Sequence, residues 1–229
     1  MDRGHAPAAV GLVVHLMAGR TRLSVFPLGG ALLFPRMQLP LHIFEPRYRA
    51  LVSDAMARDR RIGMIQPRPV FTAAEGSAER PPLFGTGCVG RIAHVEALDD
   101  GRYNIVLEGL NRFRMISELS VTTPFRQIEA ELEPDAAAEP LPLATRAALE
   151  EESRRYAEAQ GYAVDWTAVS RLDDESLVNG IAQIAPFDSA AKQALLEADT
   201  MDDRAGLIIQ LMQFFGRHAG DSDQPVTLQ

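Results

Sequence analysis

Apolar and polar positions change rhythm three times along the chain. Between Leu23 and Ile43 the apolar residues come in short runs broken by Pro27, Pro35 and Pro40. Each proline fixes φ and removes a backbone donor, so no helix passes through it. The residue before each is pushed toward extended geometry. Runs of this kind predict short strands with bulges or edges. Glu45-Pro46 then opens a helix, with proline at the first helical position, where its missing N–H is harmless. Tyr48, Leu51, Val52, Ala55 and Met56 follow at i, i+3, i+4, i+7 and i+8, a single apolar face. Ile62–Ile65 reads as a strand. Pro67, Pro69, Pro81 and Pro82 among small residues make 66–82 a loop.

The rhythm then shortens toward two. Leu83–Leu98 is apolar without strict alternation, which predicts a bulged strand. Asp99-Asp-Gly101 is a strong hairpin turn, and Tyr103–Glu108 returns as its partner. Gly109-Leu-Asn111 reads as a second turn, while Arg112–Leu119 and Phe125–Glu133 alternate as half-buried strands. Pro134 to Pro142 is acidic, alanine-rich and holds three prolines, a domain boundary. Beyond it the period becomes helical. Leu143–Gln160 is ended by Gly161. A second helix starts at the acidic Asp173 and stops before Pro186. A third is capped by Asp188 and runs to about Glu197. Thr200-Met-Asp-Asp203 has capping-box spacing and opens a fourth through Phe215. The expectation is an α+β chain: a loose arm over 1–21, a β-rich domain with one helix over 22–134, a linker over 135–142, a helical bundle over 143–217 and a disordered tail over 218–229.

The stretch Leu23-Ser-Val-Phe-Pro-Leu-Gly-Gly-Ala-Leu-Leu-Phe-Pro-Arg-Met-Gln-Leu-Pro-Leu-His-Ile-Phe-Glu-Pro-Arg-Tyr-Arg49 resembles the amino-terminal substrate-binding domain of the Lon protease family. The resemblance runs from Leu23 to Phe215 and is strongest up to Glu133. It implies that the strands form a PUA-like curled β-barrel. It also implies a domain that captures unfolded or tagged protein. Glu45, Arg47 and Tyr48 belong to the resembling pattern. So does His42 in Leu39-Pro-Leu-His-Ile-Phe44, expected to support the fold.

The ATPase and protease that such a domain serves have no counterpart here. A P-loop needs G-x-x-x-x-G-K-[ST], so that glycine N–H groups cradle phosphates and lysine reaches them. Lys192 is the one lysine in 229 residues and no glycine-rich run precedes it. No segment resembles the Ser-Lys protease domain, and no G-x-S-x-G elbow appears. The chain is therefore expected to be non-enzymatic and to need no cofactor. Gly85-Thr-Gly-Cys-Val-Gly90 has dinucleotide spacing, but a strand and not a helix follows it, so its glycines are expected to allow bulges and close backbone approach. His42, His94 and Cys88 lack the paired spacing of a metal site.

Composition fits an ordinary globular protein, 46% hydrophobic and 24% charged. The single Cys88 excludes an internal disulfide and suits a reducing cytoplasm. Ala6–Ala18 is mostly apolar but too short to span a bilayer. With Asp2, His5 and His15 interrupting it, it makes a poor signal peptide, and 1–16 reads as an arm or as sequence ahead of a start at Met17. Charge is uneven. Residues 1–134 carry 16 Arg against 14 Asp and Glu, a net of +2. Residues 135–229 carry 7 Arg and Lys against 17 Asp and Glu, a net of −10. Such a chain is a poor match to a polyanion. Arg58-Asp-Arg-Arg61 reads as a solvated helix end.

The expected function is binding of unfolded or extended apolar peptide, as an adaptor for a protease or chaperone, in an apolar groove aided by strand addition at a barrel edge. The candidate lining is Phe34, Met37, Leu39, Phe44, Tyr48, Met64 and Phe84. Glu45 and Arg47 are expected to pin the helix start to the barrel. RNA binding, which PUA-like barrels also perform, is the alternative and is opposed by charge. Small-molecule binding is a third class.

Overall fold

A computed structural model of the chain describes residues 19–69, 80–133 and 139–220, with side chains up to Gly216. The expected arm up to Ala18, residues 70–79 of the loop, residues 134–138 of the linker and the tail beyond Gly220 lie outside the described residues. Six strands come first: β1 (Arg20–Pro27), β2 (Gln38–Ile43), β3 (Arg61–Pro67), β4 (Leu83–Ala97), β5 (Tyr103–Glu118) and β6 (Gln127–Leu132), with α1 (Pro46–Met56) between β2 and β3. The helices follow: α2 (Leu143–Ala159), α3 (Trp166–Val169), α4 (Asp174–Ile184), α5 (Ser189–Glu197) and α6 (Met201–Gly220). The chain is α+β, as its patterning predicts.

The sheet runs β2-β5-β4-β3-β1-β6, and β6 pairs back onto β5. Five strands thus close a ring and β2 hangs outside it. The ring is not a regular barrel: β1 and β3 are parallel and every other pair is antiparallel. Closure requires β4 and β5 to bend. The register shift between Ile92 and His94 puts an extra residue in β4, and the shift between Cys88 and Gly90 puts one in β5, where Leu110 and Asn111 stand against Val89 alone. Alternation along β4 divides its inward side chains between two cores, Cys88 and Ile92 in the one beneath α1 and Val89 in the one inside the ring.

One turn expected from sequence does not exist. β5 continues through Gly109, which pairs with Gly90, and Leu110 and Asn111 form a bulge within the strand and not a turn. A Cβ at Gly109 would overlap the carbonyl oxygen of Phe34, and at Gly90 it would lie 2.8 Å from Leu33 Cδ2. These glycines let the Leu32–Met37 segment cross the sheet closely, which leaves no turn to be made. Hydrogen bonds fix the crossing: Arg36 N donates to Gly109 O (2.8 Å) and Gly109 N to Met37 O (2.8 Å).

That crossing segment joins the strands to the helices. Leu32 and Phe34 are buried in the same core as Leu149, Leu177, Val178, Leu195 and Ile208. Polar contacts weld the junction. Phe34 N donates to Gln183 Oε1 (3.1 Å), Asn179 donates to Pro35 O (3.1 Å) and Gln193 to Thr86 O (3.2 Å). Arg112 of β5 donates to the carbonyls of Leu196 (2.8 Å) and Ala198. Those are groups at a helix C-terminus that would otherwise lack a donor. Arg204 is 6% exposed, donates to Leu195 O (2.8 Å) and Asn179 Oδ1 (2.6 Å), and lies over the Phe34 ring. Burial pushes its pKa down to about 10.

The caps behave as read from sequence. Asp173, Asp188 and the Thr200–Asp203 capping box accept from the first backbone N–H groups of α4, α5 and α6. The expected four-helix bundle gains a short fifth helix, α3, capped by Asp165, which accepts from Thr167 N and Ala168 N.

Candidate functional site

The closed ring decides where the seven candidates lie. Phe34, Tyr48 and Met64 are buried at 0%, 6% and 2% exposure, so they are core and cannot line an open groove in this conformation. Met37 packs on the helical core and Leu39 on the core beneath α1, both half-buried. Phe84 is half-buried with Arg68 over its ring. Phe44 is open, its ring 6.2 Å from that of His42. The seven do not converge on one groove.

Two further expectations change. Glu45 and Arg47 ion-pair with each other (2.8 Å) and do not pin the helix. Tyr48 does so, its hydroxyl donating to Pro27 O (3.2 Å) and its ring 4.0 Å from that of Phe26. Among the described strands the free edge for strand addition is the outer side of β2. Because Gly109 N donates to Met37 O, residues 38, 40 and 42 turn their backbone groups outward in this register. Pro40 has no N–H to offer there and interrupts the edge.

His42 and His94 line one shallow recess on the surface, but Cys88 is buried and does not join them. Burial pushes the Cys88 thiol far up, and it lies in the core beneath α1, where it donates to the carbonyl of Val89 (3.6 Å). His42 Nδ1 lies 2.7 Å from Asn104 Oδ1. Among the described residues no group of three or more His, Cys, Asp or Glu could hold a metal ion. Within the same residues no helix is long and apolar enough to cross a membrane.

The helices instead carry an apolar groove of about 570 Å³. Its floor is Tyr156 and Ala157 of α2, Leu177, Gly180 and Ile181 of α4, and Met212 of α6. Its other wall is the segment Gly161–Leu172, a strap that leaves α2 at Gly161 (φ +71) and contains α3. The strap is rich in large apolar residues, yet none of them is buried. Tyr162 is 50% exposed, Leu172 42%, and Ile184 on the rim 80%. Side chains of this size contribute about 1.5–3 kcal/mol each when buried, and here most of that is unrealised.

Polar contacts hold the groove open. Arg146 of α2 donates to Leu172 O (2.9 Å), pairs with Glu150 (3.0 Å) and bonds the carboxylate of Asp174. Asp174 also accepts from Leu141 N (2.9 Å). The Arg146 hydrogen bond holds the Asp174 carboxyl below its ordinary value, and the Ser176 backbone N–H does the same for Asp173. Arg154 stacks on Trp166 at 4.7 Å. Sequence reasoning missed this groove because the strap follows neither helical nor strand periodicity. The one signal it offered was an apolar cluster, with the single tryptophan of the chain, beside a helix stop.

The fold defines the class. It is shared with the Lon N-terminal domain protein from Xanthomonas campestris (TM-score 0.60, 20% identity, 85% of this chain and 98% of that one). It is shared equally with the N-terminal domain of Mycobacterium avium complex Lon protease (TM-score 0.61, 20% identity, 84% and 98%). The chain belongs to the ATP-dependent protease La (LON) substrate-binding domain family, whose model matches residues 22–213. Among curated relatives, Lon protease 2 of Sorangium cellulosum is 32% identical over 115 residues, 50% of this chain and 14% of that protein. Lon protease 2 of Herpetosiphon aurantiacus is 28% identical over 84% of this chain and 24% of its own length. The Escherichia coli K12 Lon protease is 26% identical over 85% and 25%. The chain thus spans between 14% and 25% of the length of these relatives, and the family model matched is that of their substrate-binding part.

Proposed function

We propose that this chain captures segments of other polypeptides that expose apolar side chains, and that the groove beneath the Gly161–Leu172 strap is where it does so. The observation that carries the reading is an open apolar groove of about 570 Å³ on a domain of the Lon substrate-binding family. Its volume is in the range of pockets that take small ligands or side chains. Its unburied apolar residues form the sort of patch that marks an interaction surface. Phe44 is a second proposed contact on the strand side. Met37, Leu39 and Phe84 offer only partial surface. Captured segments pass to a proteolytic partner that supplies the ATPase and protease, in the reducing cytoplasm. RNA is disfavoured by charge, since residues 139–220 carry seven Arg and Lys against fourteen Asp and Glu.

The test is fluorescence anisotropy with a short fluorescein-labelled peptide rich in leucine and phenylalanine, and in parallel with labelled single-stranded RNA. The peptide binds with affinity little changed between low and moderate salt. Ile184→Asp, at a position 80% exposed, weakens it at least tenfold while leaving the melting temperature in place. RNA binding that collapses with salt, alongside no peptide binding, would transfer the chain to the nucleic-acid class.

A further inference from the structure

The helical groove is apolar, yet its surroundings are of one sign. Among its described lining residues the one charged side chain is Glu150. Arg146 donates to Glu150 Oε1 (3.0 Å), and the carboxylate has a second oxygen to offer. Arg146 is itself divided among Glu150, Asp174 and Leu172 O, so it does not neutralise that rim. Arg36 is divided in the same way between Asp173 and Glu175 where α4 begins. Two cations there face four carboxylates. The far end of the groove has the same sign from another source. α2 stops at Ala159, and Gly161 just beyond it lies in the groove wall. A helix C-terminus carries partial negative charge that favours lysine or arginine in the last turn. α2 has no basic residue there and carries the exposed Glu158 instead. Arg155, just before that turn, pairs with Glu152. α4 also ends at the groove without a basic residue in its last turn, although Lys192 of α5 donates to Gln183 O (2.8 Å). Residues 143–188 supply every described lining residue except Met212, and they carry four Arg against nine Asp and Glu, a net of −5.

We infer that the groove selects, among apolar segments of other polypeptides, those that carry lysine or arginine beside the apolar stretch. The inference rests on the groove being the peptide site proposed above, and it names the class of segment that site takes. Apolar side chains of the segment cover Ile184, Leu172 and Tyr162, which is the main favourable contribution. Its cations reach Glu150 at one end and the unoffset C-terminus of α2 at the other. The Tyr162 ring, 50% exposed, offers a face to the same cations. An apolar segment flanked by carboxylates meets like charge at both ends and is rejected. Charge thus discriminates between segments whose apolar contacts are equal.

The experiment uses the full chain and three labelled peptides that share one leucine- and phenylalanine-rich core. They differ only in the residue at each end, which is lysine, serine or glutamate. Binding is read by anisotropy and by Trp166 emission, since Trp166 lines the groove and is the only tryptophan of the chain. An exposed ion pair contributes roughly a factor of three, so the lysine peptide binds about tenfold tighter than the serine peptide and the glutamate peptide more weakly than both. At about 1 M salt, where the screening length is about 3 Å, the three converge. Glu150→Gln and, separately, the exposed Glu158→Gln each cut the lysine preference to about threefold, the loss of one such pair. Asp99→Asn removes the same charge from an exposed turn in the strand half and leaves the preference unchanged. Equal affinity of the lysine and glutamate peptides, or a preference for glutamate, would overturn the inference and leave the proposed function intact. A lysine preference that neither glutamine variant lowers more than Asp99→Asn does would put its source elsewhere on the chain and overturn the assignment to the groove. Failure of all three peptides to bind would overturn both the inference and the proposed function.

Discussion

Truncating Phe34 and truncating Phe44 should have opposite consequences, although the two residues are ten apart in one apolar segment. Phe34 is fully buried where the strand ring meets the helices, and its ring faces the Arg204 guanidinium. Phe34→Ala removes the ring from a packed core and leaves a cavity, a change costing about 3–5 kcal/mol. It also strips one face from a buried cation that has no carboxylate bonded to it. Against a total stability of about 5–15 kcal/mol this is a large fraction. At about 2–4 °C per kcal/mol for a chain of this size, the melting temperature falls by roughly 6–20 °C. Phe44 is 60% exposed and its neighbour is the surface His42. Phe44→Ala should stay within about 0.5 kcal/mol, or about 2 °C. Thermal melts followed by circular dichroism at matched concentration measure both. Below its transition, the Phe34→Ala chain should bind the probe peptide as the parent does, since Phe34 does not line the groove. A Phe34→Ala chain melting within 2 °C of the parent, or an equal loss in Phe44→Ala, would refute the assignment of ring core and open corner.

Gly109→Ala forces a methyl group against the Phe34 carbonyl and should cost about 1–3 kcal/mol, whereas Gly85→Ala, with nothing within 4 Å, should be neutral or slightly stabilising; parallel melts separate the two. Arg112→Met leaves the carbonyls of Leu196 and Ala198 without their donor at about 1–3 kcal/mol, and hydrogen exchange should speed at the α5–α6 junction before it speeds in the ring. Asp173 and Asp174 have folded pKa values below the 3.8 of the free side chain, so their stabilisation is fully present above that value and is lost as pH falls through the folded values. The urea midpoint should therefore drop below about pH 4, and Asp174→Asn should flatten that limb; an unchanged profile in the variant would remove Asp174 from the account.

The helices were legible because their signals are local. Thr200 and Asp203, Asp188, and Glu45-Pro46 each announce a helix start within four residues, and each start is where the caps place it. The hairpin at Asp99-Asp-Gly101 is equally local, with Gly101 at φ +80 and its N–H bonded to Leu98 O. Gly109 was misread because its reason lies 75 residues away: a glycine in a strand and a glycine in a turn look alike until the passing Phe34 backbone is known. The seven candidate residues were chosen for being apolar near Lon-like motifs, but apolarity alone does not say which side of a closed ring a residue faces. Phe34, Tyr48 and Met64 went inward. The groove was illegible for the converse reason. It exists only where α2, α4 and α6 converge, and its outer wall, Tyr162 to Leu172, has no period to detect.

The division of labour between the two halves follows from how each satisfies its own backbone. A closed ring pairs its edges and turns its apolar faces inward, so it offers a partner little beyond the outer edge of β2, which Pro40 interrupts. Helices satisfy their backbone internally and can leave a side-chain face unpaired without leaving hydrogen bonds unmade. An apolar binding surface is thus least costly to keep open on the helical side. The welds of Arg112 and Gln193 tie α5 to the ring, Arg204 ties α6 to α5 and α4, and together they steady the floor on which the groove rests. The strap has no buried residue, and its ties include the Arg146 bond to Leu172 O, the bond of Tyr162 N to Ala157 O, the partial packing of Val169 on the helical core, the Asp165 cap and the stacking of Arg154 on Trp166. Elements with few buried contacts open at the lowest free energy. The strap is therefore the part that can yield to an incoming segment while the floor beneath it stays in place.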